Sequence, residues 1–350
     1  MNINIFQWRY SLFLILIAVW LLPINNAQAA LTVTCQAGMN TAPGGAGIVN
    51  FGTITPANAN TESISGTLNY SCTNTGTTAG YVSVCLAVDG GQYNNTAVDA
   101  RYMQRAGSAT NNRLNFTMTL PGGILWSTRG KAGSEFNSGS LEIRENSTIT
   151  GSVPINISMN GGNTNATQGS YTNNFGNGNH TALTFLTSTT SPAPNCNAGG
   201  VDQQSIRFPF IVQAAVLPVC TITATSDVNL GARSASDTNI TGSNSSAITV
   251  QCTNGGSYYI GLQPSNDSQN GAGVMSGTGG NLDKVLYQLR STAGMNGEIW
   301  GNTATSTTKG NGVADFGTGS PKAQTVYVTV PRADFKPDSY SDTVTIKVSY

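Results

Sequence analysis

The chain contains the same pattern twice. Its second half reads Cys220-Thr-Ile-Thr-Ala-Thr, then Asn229-Leu230-Gly231, Cys252-Thr-Asn-Gly, Gly273-Val-Met275, Leu286-Tyr287, Trp300-Gly301 and Ser339-Tyr340-Ser-Asp342. The first half carries Leu31-Thr-Val-Thr-Cys35, Asn50-Phe51-Gly52, Cys72-Thr-Asn, Arg101-Tyr-Met103, Leu114-Asn-Phe116, Trp126 and Gly169-Ser170-Tyr171 in the same order. The Met and the following Leu stand 11 residues apart in both copies, at 103 and 114 and at 275 and 286. Such a duplication requires a unit of about half the chain that folds around its own core.

Composition decides what that unit is made of. With 41 Gly, 13 Pro and only 9% charged residues, the chain is poor in the Leu, Glu and Lys of helical domains and rich in the Gly that disfavours them. It runs instead on Thr, Ser, Asn, Gly and Val, so the expectation is an all-β protein of short strands and turns. The last strand shows it best: in Ser341 to Tyr350, Val344, Ile346, Val348 and Tyr350 alternate with Thr343, Thr345, Lys347 and Ser349, which leaves one face to be buried.

The N-terminus places the chain outside the cytoplasm. Arg9 is followed by the apolar run Leu12 to Leu22 and by Ala27-Gln28-Ala29-Ala30, a run about half the length of a membrane span with the small-residue ending that signal peptidase cleaves. Residues 1–29 therefore read as a signal peptide and the product as exported, with residues 30–216 as an N-terminal domain and 217–350 as a C-terminal one. In an oxidising compartment six cysteines imply disulfides. Cys35 and Cys72 hold the same repeat positions as Cys220 and Cys252, so each pair closes within its own domain, and Cys85 is left for Cys196.

Charge and composition also exclude function classes. The formal net charge is zero, with 16 basic and 16 acidic residues and no basic block, so the footprint of a nucleic-acid binder is missing. The single histidine, His180, removes His-based triads and multi-histidine metal sites; no catalytic, metal or cofactor residue is proposed, and the chain reads as a non-enzyme. His180 sits in a polar loop and reads as exposed, the carboxylates Glu142 and Glu145 as solvated, and Trp126 and Trp300 as core.

The first copy is longer, and its three insertions are the place to look for binding. They carry apolar residues where turns are usually polar: Ala42, Pro43, Ala46, Ile48 and Val49 in the first, Tyr93, Ala97 and Val98 in the second, and Phe175, Ala182 and Leu183 in the third. Gathered at one end they would make an apolar surface-binding patch. The first half would close itself with a final strand near Ser205 to Ala215, Ile206, Phe208, Phe210 and Val212 on one face. The second half stops at Tyr350, and only five residues, Ala30 to Thr34, precede Cys35. The expectation is a subunit that can accept a strand against Val344, Ile346, Val348 and Tyr350 but cannot donate one.

Both halves resemble the spore coat protein U domain, which is also the pilin domain of archaic chaperone-usher pili. The resemblance rests on the early Cys, the Phe-Gly or Leu-Gly pair, the Cys-Thr-Asn step, Leu286-Tyr287, Trp300-Gly301 and Tyr340-Ser-Asp342-Thr-Val-Thr-Ile346; the first copy departs from it at Trp126-Ser127. It implies two immunoglobulin-like β-sandwich domains, the second incomplete and completed by a donor strand. It further implies a pilus-tip adhesin mediating surface attachment and biofilm formation. The partners would be a periplasmic chaperone, an outer-membrane usher, the adjacent pilin, and a host or abiotic surface, with the periplasm as the route to the cell surface. The alternative that the same family allows is a coat protein that assembles laterally.

Overall fold

The computed structural model describes residues 30–350 except 95–97, 108–111, 130–132, 177, 199–200 and 203–206. The expected leader, Ala97 and Ile206 lie outside the described residues. Among the described residues there is no α-helix, only strands and two single 3-10 turns, Asn163–Asn165 and Cys196–Ala198. The protein is all-β.

The first half runs β1 (Val33–Met39), β2 (Gly47–Ile54), β3 (Ser63–Asn74), β4 (Gly80–Val88), β5 (Arg101–Arg105), β6 (Arg113–Leu120), β7 (Ile124–Leu125), β8 (Phe136–Ile143), β9 (Ser147–Met159), β10 (Gly169–Asn174), β11 (Thr181–Ser188), β12 (Val201–Asp202) and β13 (Phe210–Val216). The second half runs β14 (Cys220–Ala224), β15 (Thr238–Cys252), β16 (Ser257–Pro264), β17 (Ala272–Ser276), β18 (Lys284–Arg290), β19 (Val313–Phe316), β20 (Lys322–Arg332) and β21 (Val344–Ser349). In the first half a sheet ordered β1-β3-β9-β6-β5-β10-β13-β2, with β7 on β6, is layered with a sheet ordered β12-β11-β4-β8. In the second half β14-β15-β20-β18-β17 is layered with β19-β16-β21.

Period-two burial explains the layers. Along β6 buried Leu114, Phe116, Met118 and Leu120 alternate with half-buried neighbours, so one face of the strand closes the core while the other faces outward. One core spans Cys35 to Val216 and a second spans Ile240 to Val330, each enclosed by its own pair of sheets.

The repeat is visible atom by atom. Cys35 lies directly across from Cys72 on β1 and β3, and Cys220 across from Cys252 on β14 and β15, each pair disulfide-bonded at a Cα separation of 4.1 Å. The third bridge, Cys85 to Cys196, ties β4 to the long insertion. Trp126 donates its indole N–H to the Leu86 carbonyl and Trp300 to that of Ile260, both at 2.9 Å, and both rings are buried. Even a local kink is kept, within β2 in the first copy: the Asn50 side chain accepts from Gly52 N–H at 2.9 Å and Asn229 from Gly231 N–H at 2.8 Å, with φ +73° and +69° at the two glycines. A positive φ of this size is what makes Gly the fitting residue at both positions.

The structure reassigns one strand. The counterpart of β21 is β11, because β11 pairs antiparallel with β4 as β21 pairs with β16. The expected closing strand near Ser205 to Ala215 is present as β13, antiparallel to β10 and parallel to β2.

Candidate functional site

Among the described residues the second half has no strand in the place that β13 takes in the first. The two strands that would flank it are recognisable. Ser341 bridges to Ser276 as β10 pairs with β5, and the segment around Asn229-Leu230-Gly231 repeats the turn of β2 without forming a strand. The difference shows in exposure at matched positions. Val49 and Phe51, under β13, are buried, while their counterparts Val228 and Leu230 are half-buried. Ala37 is buried and its counterpart Ile222 is 38% exposed.

The same holds along the edge of the smaller sheet. With Leu86 and Ile260 aligned by their tryptophans, Leu183 on β11 matches Val348 on β21, and Phe185 matches Tyr350. Leu183 is fully buried and Val348 half-buried; Phe185 is 9% exposed and Tyr350 52%. Val344 and Ile346 are half-buried too, and among the described residues β21 pairs with β16 alone. Half-buried apolar side chains beside an open backbone edge are a template for strand addition.

The approach to β21 is held rigidly. The Asp338 carboxylate accepts from the Thr278 hydroxyl at 2.5 Å, from Thr278 N–H at 2.9 Å and from the Asn281 amide at 2.8 Å. These hydrogen bonds, Thr278 first, hold its pKa at about 2. Tyr287, 6% exposed, donates its hydroxyl to Asp342 at 2.6 Å, and burial and then that carboxylate push the phenol far up. A neutral phenol bonded to a carboxylate fixes the chain just before Val344.

The three insertions do meet, but not as an apolar patch. Gly47 N–H donates to the Pro209 carbonyl at 3.0 Å, Gln92 N–H to Asn174 at 3.2 Å, and Phe175 N–H to Phe210 at 2.9 Å, so all three converge near the start of β13. Their larger apolar side chains point inward. Val49, Val98, Phe175, Ala182 and Leu183 are all buried, and Ala182 and Leu183 belong to strand β11 rather than a loop. These five are corrected to buried residues: Val49 pairs with Val212 of β13, Phe175 stacks on Phe210, and Ala182 and Leu183 pair with β4. Of the expected patch, Ala42, Ala46 and Ile48 are exposed, Ile48 at 55%, and Pro43 and Tyr93 are half-buried.

His180 also departs from expectation. It is half-buried, with Nδ1 at 3.0 and 3.1 Å from the two oxygens of Asp89, whose pKa burial raises against the opposing Gly91 N–H and His180 contacts. Next to it Arg101, fully buried, donates to the carbonyls of Asp89, Val88 and Trp126 at 2.8, 3.1 and 2.6 Å. Desolvation lowers its pKa to about 9. Nothing in the sequence near Arg101 announces a buried cation; its partners are main-chain oxygens, which leave no sequence signal. Glu142 and Glu145 are exposed, as expected, and no cluster of three metal-ligating side chains occurs among the described residues.

The chain is similar to several solved structures. One is a chaperone–tip subunit pre-assembly complex of the archaic chaperone-usher Csu pili of Acinetobacter baumannii, at 14% identity over 91% of this chain and 100% of the other, TM-score 0.47. Another is a tip adhesin of Pseudomonas aeruginosa, at 12% identity over 91% and 96%, TM-score 0.33. A third is the adhesive subunit of the CFA/I fimbria of enterotoxigenic Escherichia coli, at 9% identity over 87% and 92%, TM-score 0.30. A comparison with curated proteins finds no match. Residues 206–347 match the family model described as Spore Coat Protein U domain.

Proposed function

We propose that the chain is a non-enzymatic tip subunit of a chaperone-usher fibre, with the first half (residues 30–216) as adhesin and the second (217–350) as the pilin-type domain that joins it to the fibre. One observation carries this reading. A strand that buries four alternate side chains in the first half, Phe210, Val212, Ala214 and Val216, with Phe208 buried just before it, has no counterpart among the described residues of the second, where the matching positions Val228 and Leu230 stay half-buried. Left open, that edge is an aggregation hazard. A periplasmic chaperone covers it in transit, and at the outer-membrane usher the donor segment of the adjacent pilin replaces the chaperone. At the cell surface the exposed residues Ala42, Ala46 and Ile48 supply the contact with a host or abiotic surface that begins biofilm formation.

Immunogold labelling tests the assignment. The expected result is one label at the end of each fibre, and loss of the chain from the periplasm when the chaperone is deleted. Label distributed along the fibre, or over a coat, would replace the tip reading with lateral assembly.

A further inference from the structure

The two halves also differ at the outer edge of the smaller sheet. In the first half Phe136, at the start of β8, pairs with Leu86 and packs on Tyr70 with ring centroids 5.6 Å apart. Tyr70 in turn lies over its partner Gly151, where a Cβ would meet the ring. With Leu86 matched to Ile260 and Cys72 to Cys252, the places of Phe136, Tyr70 and Gly151 are taken in the second half by Val313, Val250 and Lys322. Where the first half stacks two rings the second has two valines, and a cleft of about 510 Å3 opens beside Val313, between β19 and β20.

The charges of this cleft cancel. The exposed Glu298 and Lys309 on its wall pair at 2.7 Å, and Asp315 and Lys322 beside it pair at 2.6 Å. Matched pairs leave no net field to hold a phosphate or a metal ion. What the cleft offers instead is neutral hydrogen-bonding groups on β20: Gln324, Thr325 and Tyr327, all half-buried. The Gln324 amide donates to Asp315 at 3.1 Å and to the Tyr258 hydroxyl at 3.4 Å. These two bonds fix the amide plane and leave its oxygen as a preset acceptor.

We propose that the second half carries a saccharide-binding cleft between β19 and β20, which takes a neutral hexose unit of a glycan. Its volume lies within the roughly 300–1,000 Å3 of small-ligand sites, which combine an apolar or aromatic surface with a few placed polar groups. A sugar answers this set of groups. Its hydroxyls donate to the fixed Gln324 oxygen and exchange hydrogen bonds with the Thr325 and Tyr327 hydroxyls, and its C–H face covers the Tyr327 ring.

Strand addition does not compete for this place. β19 and β21 flank β16 on opposite sides, so the cleft stands on the other edge of the sheet from Val344 to Tyr350. β19 is only four residues long, and Lys322 reaches across to its Asp315. A short edge guarded by a lysine resists pairing with an extended peptide.

The test applies the full mature chain to an array of neutral, acidic and amino-bearing glycans, followed by calorimetric titration with the free saccharide that scores highest. The expected result is binding to neutral glycans at one site per chain. Tyr327→Phe and Thr325→Val each remove one hydroxyl at nearly constant volume; together they should weaken that binding at least about tenfold with an unchanged thermal midpoint. If the double variant loses its fold, each single variant is read in the same way. Neutral-glycan binding that survives these changes in folded chain would lie elsewhere and would overturn the proposal. So would a preference for acidic or amino-bearing glycans, capture of an extended Ser/Thr peptide in place of every glycan, or binding to no glycan at all.

Discussion

Phe175 and Phe210 stack with ring centroids 4.5 Å apart and an interplanar angle of 7°. One comes from an insertion and the other from the closing strand, so the insertion is the wall against which the strand is seated. Both rings are 1% exposed. Phe210→Ala is expected to cost about 3–5 kcal/mol, as deletion of a buried ring does, and Phe175→Ala nearly as much. Because the two share one contact, the double variant should cost less than the sum. Chemical denaturation followed by near-ultraviolet circular dichroism checks this, and a loss below about 1 kcal/mol at Phe210 would be incompatible with its seat.

Asp338 makes the turn at Thr278 to Asn281 acid-sensitive. Its folded-state pKa, about 2, is depressed by the Thr278 and Asn281 hydrogen bonds, so its contribution is complete above the ordinary carboxylate range and is lost as pH falls from about 4 to about 2. Protection of the amides at Thr278 to Asn281, measured against the intrinsic exchange rate at each pH, should fall over that interval in the parent chain. In Asp338→Asn the protection should already be lower at pH 7 and show no further loss on acidification. An unchanged acid response in that variant would remove Asp338 from the account.

The matched disulfides should not be equal in consequence. They close loops of similar sequence separation, 37 residues for Cys35–Cys72 and 32 for Cys220–Cys252, so chain entropy assigns each roughly 4 kcal/mol. The first sits in a sandwich that includes β13, the second beside Ile222, which is 38% exposed. Replacing Cys220 and Cys252 by Ser should abolish recovery of soluble chain, whereas replacing Cys35 and Cys72 should lower the thermal midpoint but leave folded protein. Equal yields of the two double variants would argue that the second half is as well closed as the first.

The sequence carried the parts of this fold that repeat or alternate. Cysteine register, the two tryptophans and the Asn-x-Gly turn recur at matched positions, and β13 and β21 alternate with period two, so each is legible without coordinates. What escaped has no period. Phe175 is a single apolar residue in a polar loop, and it points inward because it stacks on Phe210 of a strand that arrives from elsewhere in the chain. Asp89 and His180 are 91 residues apart. The match of β11 with β21 was hidden because the path from Tyr171 to Thr181 is longer than that from Tyr340 to Val344, while Phe208-x-Phe210-x-Val212 offered a more regular alternation in the wrong place.

The corrected loop burial changes which residues can bind a surface. Val98 and Leu183 are buried and would unfold the first half if made polar, so their replacement says nothing about adhesion. Ala46 is exposed and Ile48 is 55% exposed on the outward face of β2, while Val49 beside it is 0% exposed. Burying such small side chains against an apolar surface, at roughly 25 cal/mol per Å2, yields only about 1–2 kcal/mol per tip, and attachment then depends on many fibres acting together. Ala46→Ser with Ile48→Asp is expected to cut bacterial attachment to an apolar surface at least about tenfold through that avidity, with normal fibre number and an unchanged thermal midpoint. Val49→Asp, one residue away, should instead abolish fibres through a buried charge. Attachment that survives the exposed pair with fibres intact would move the adhesive contact away from this hairpin.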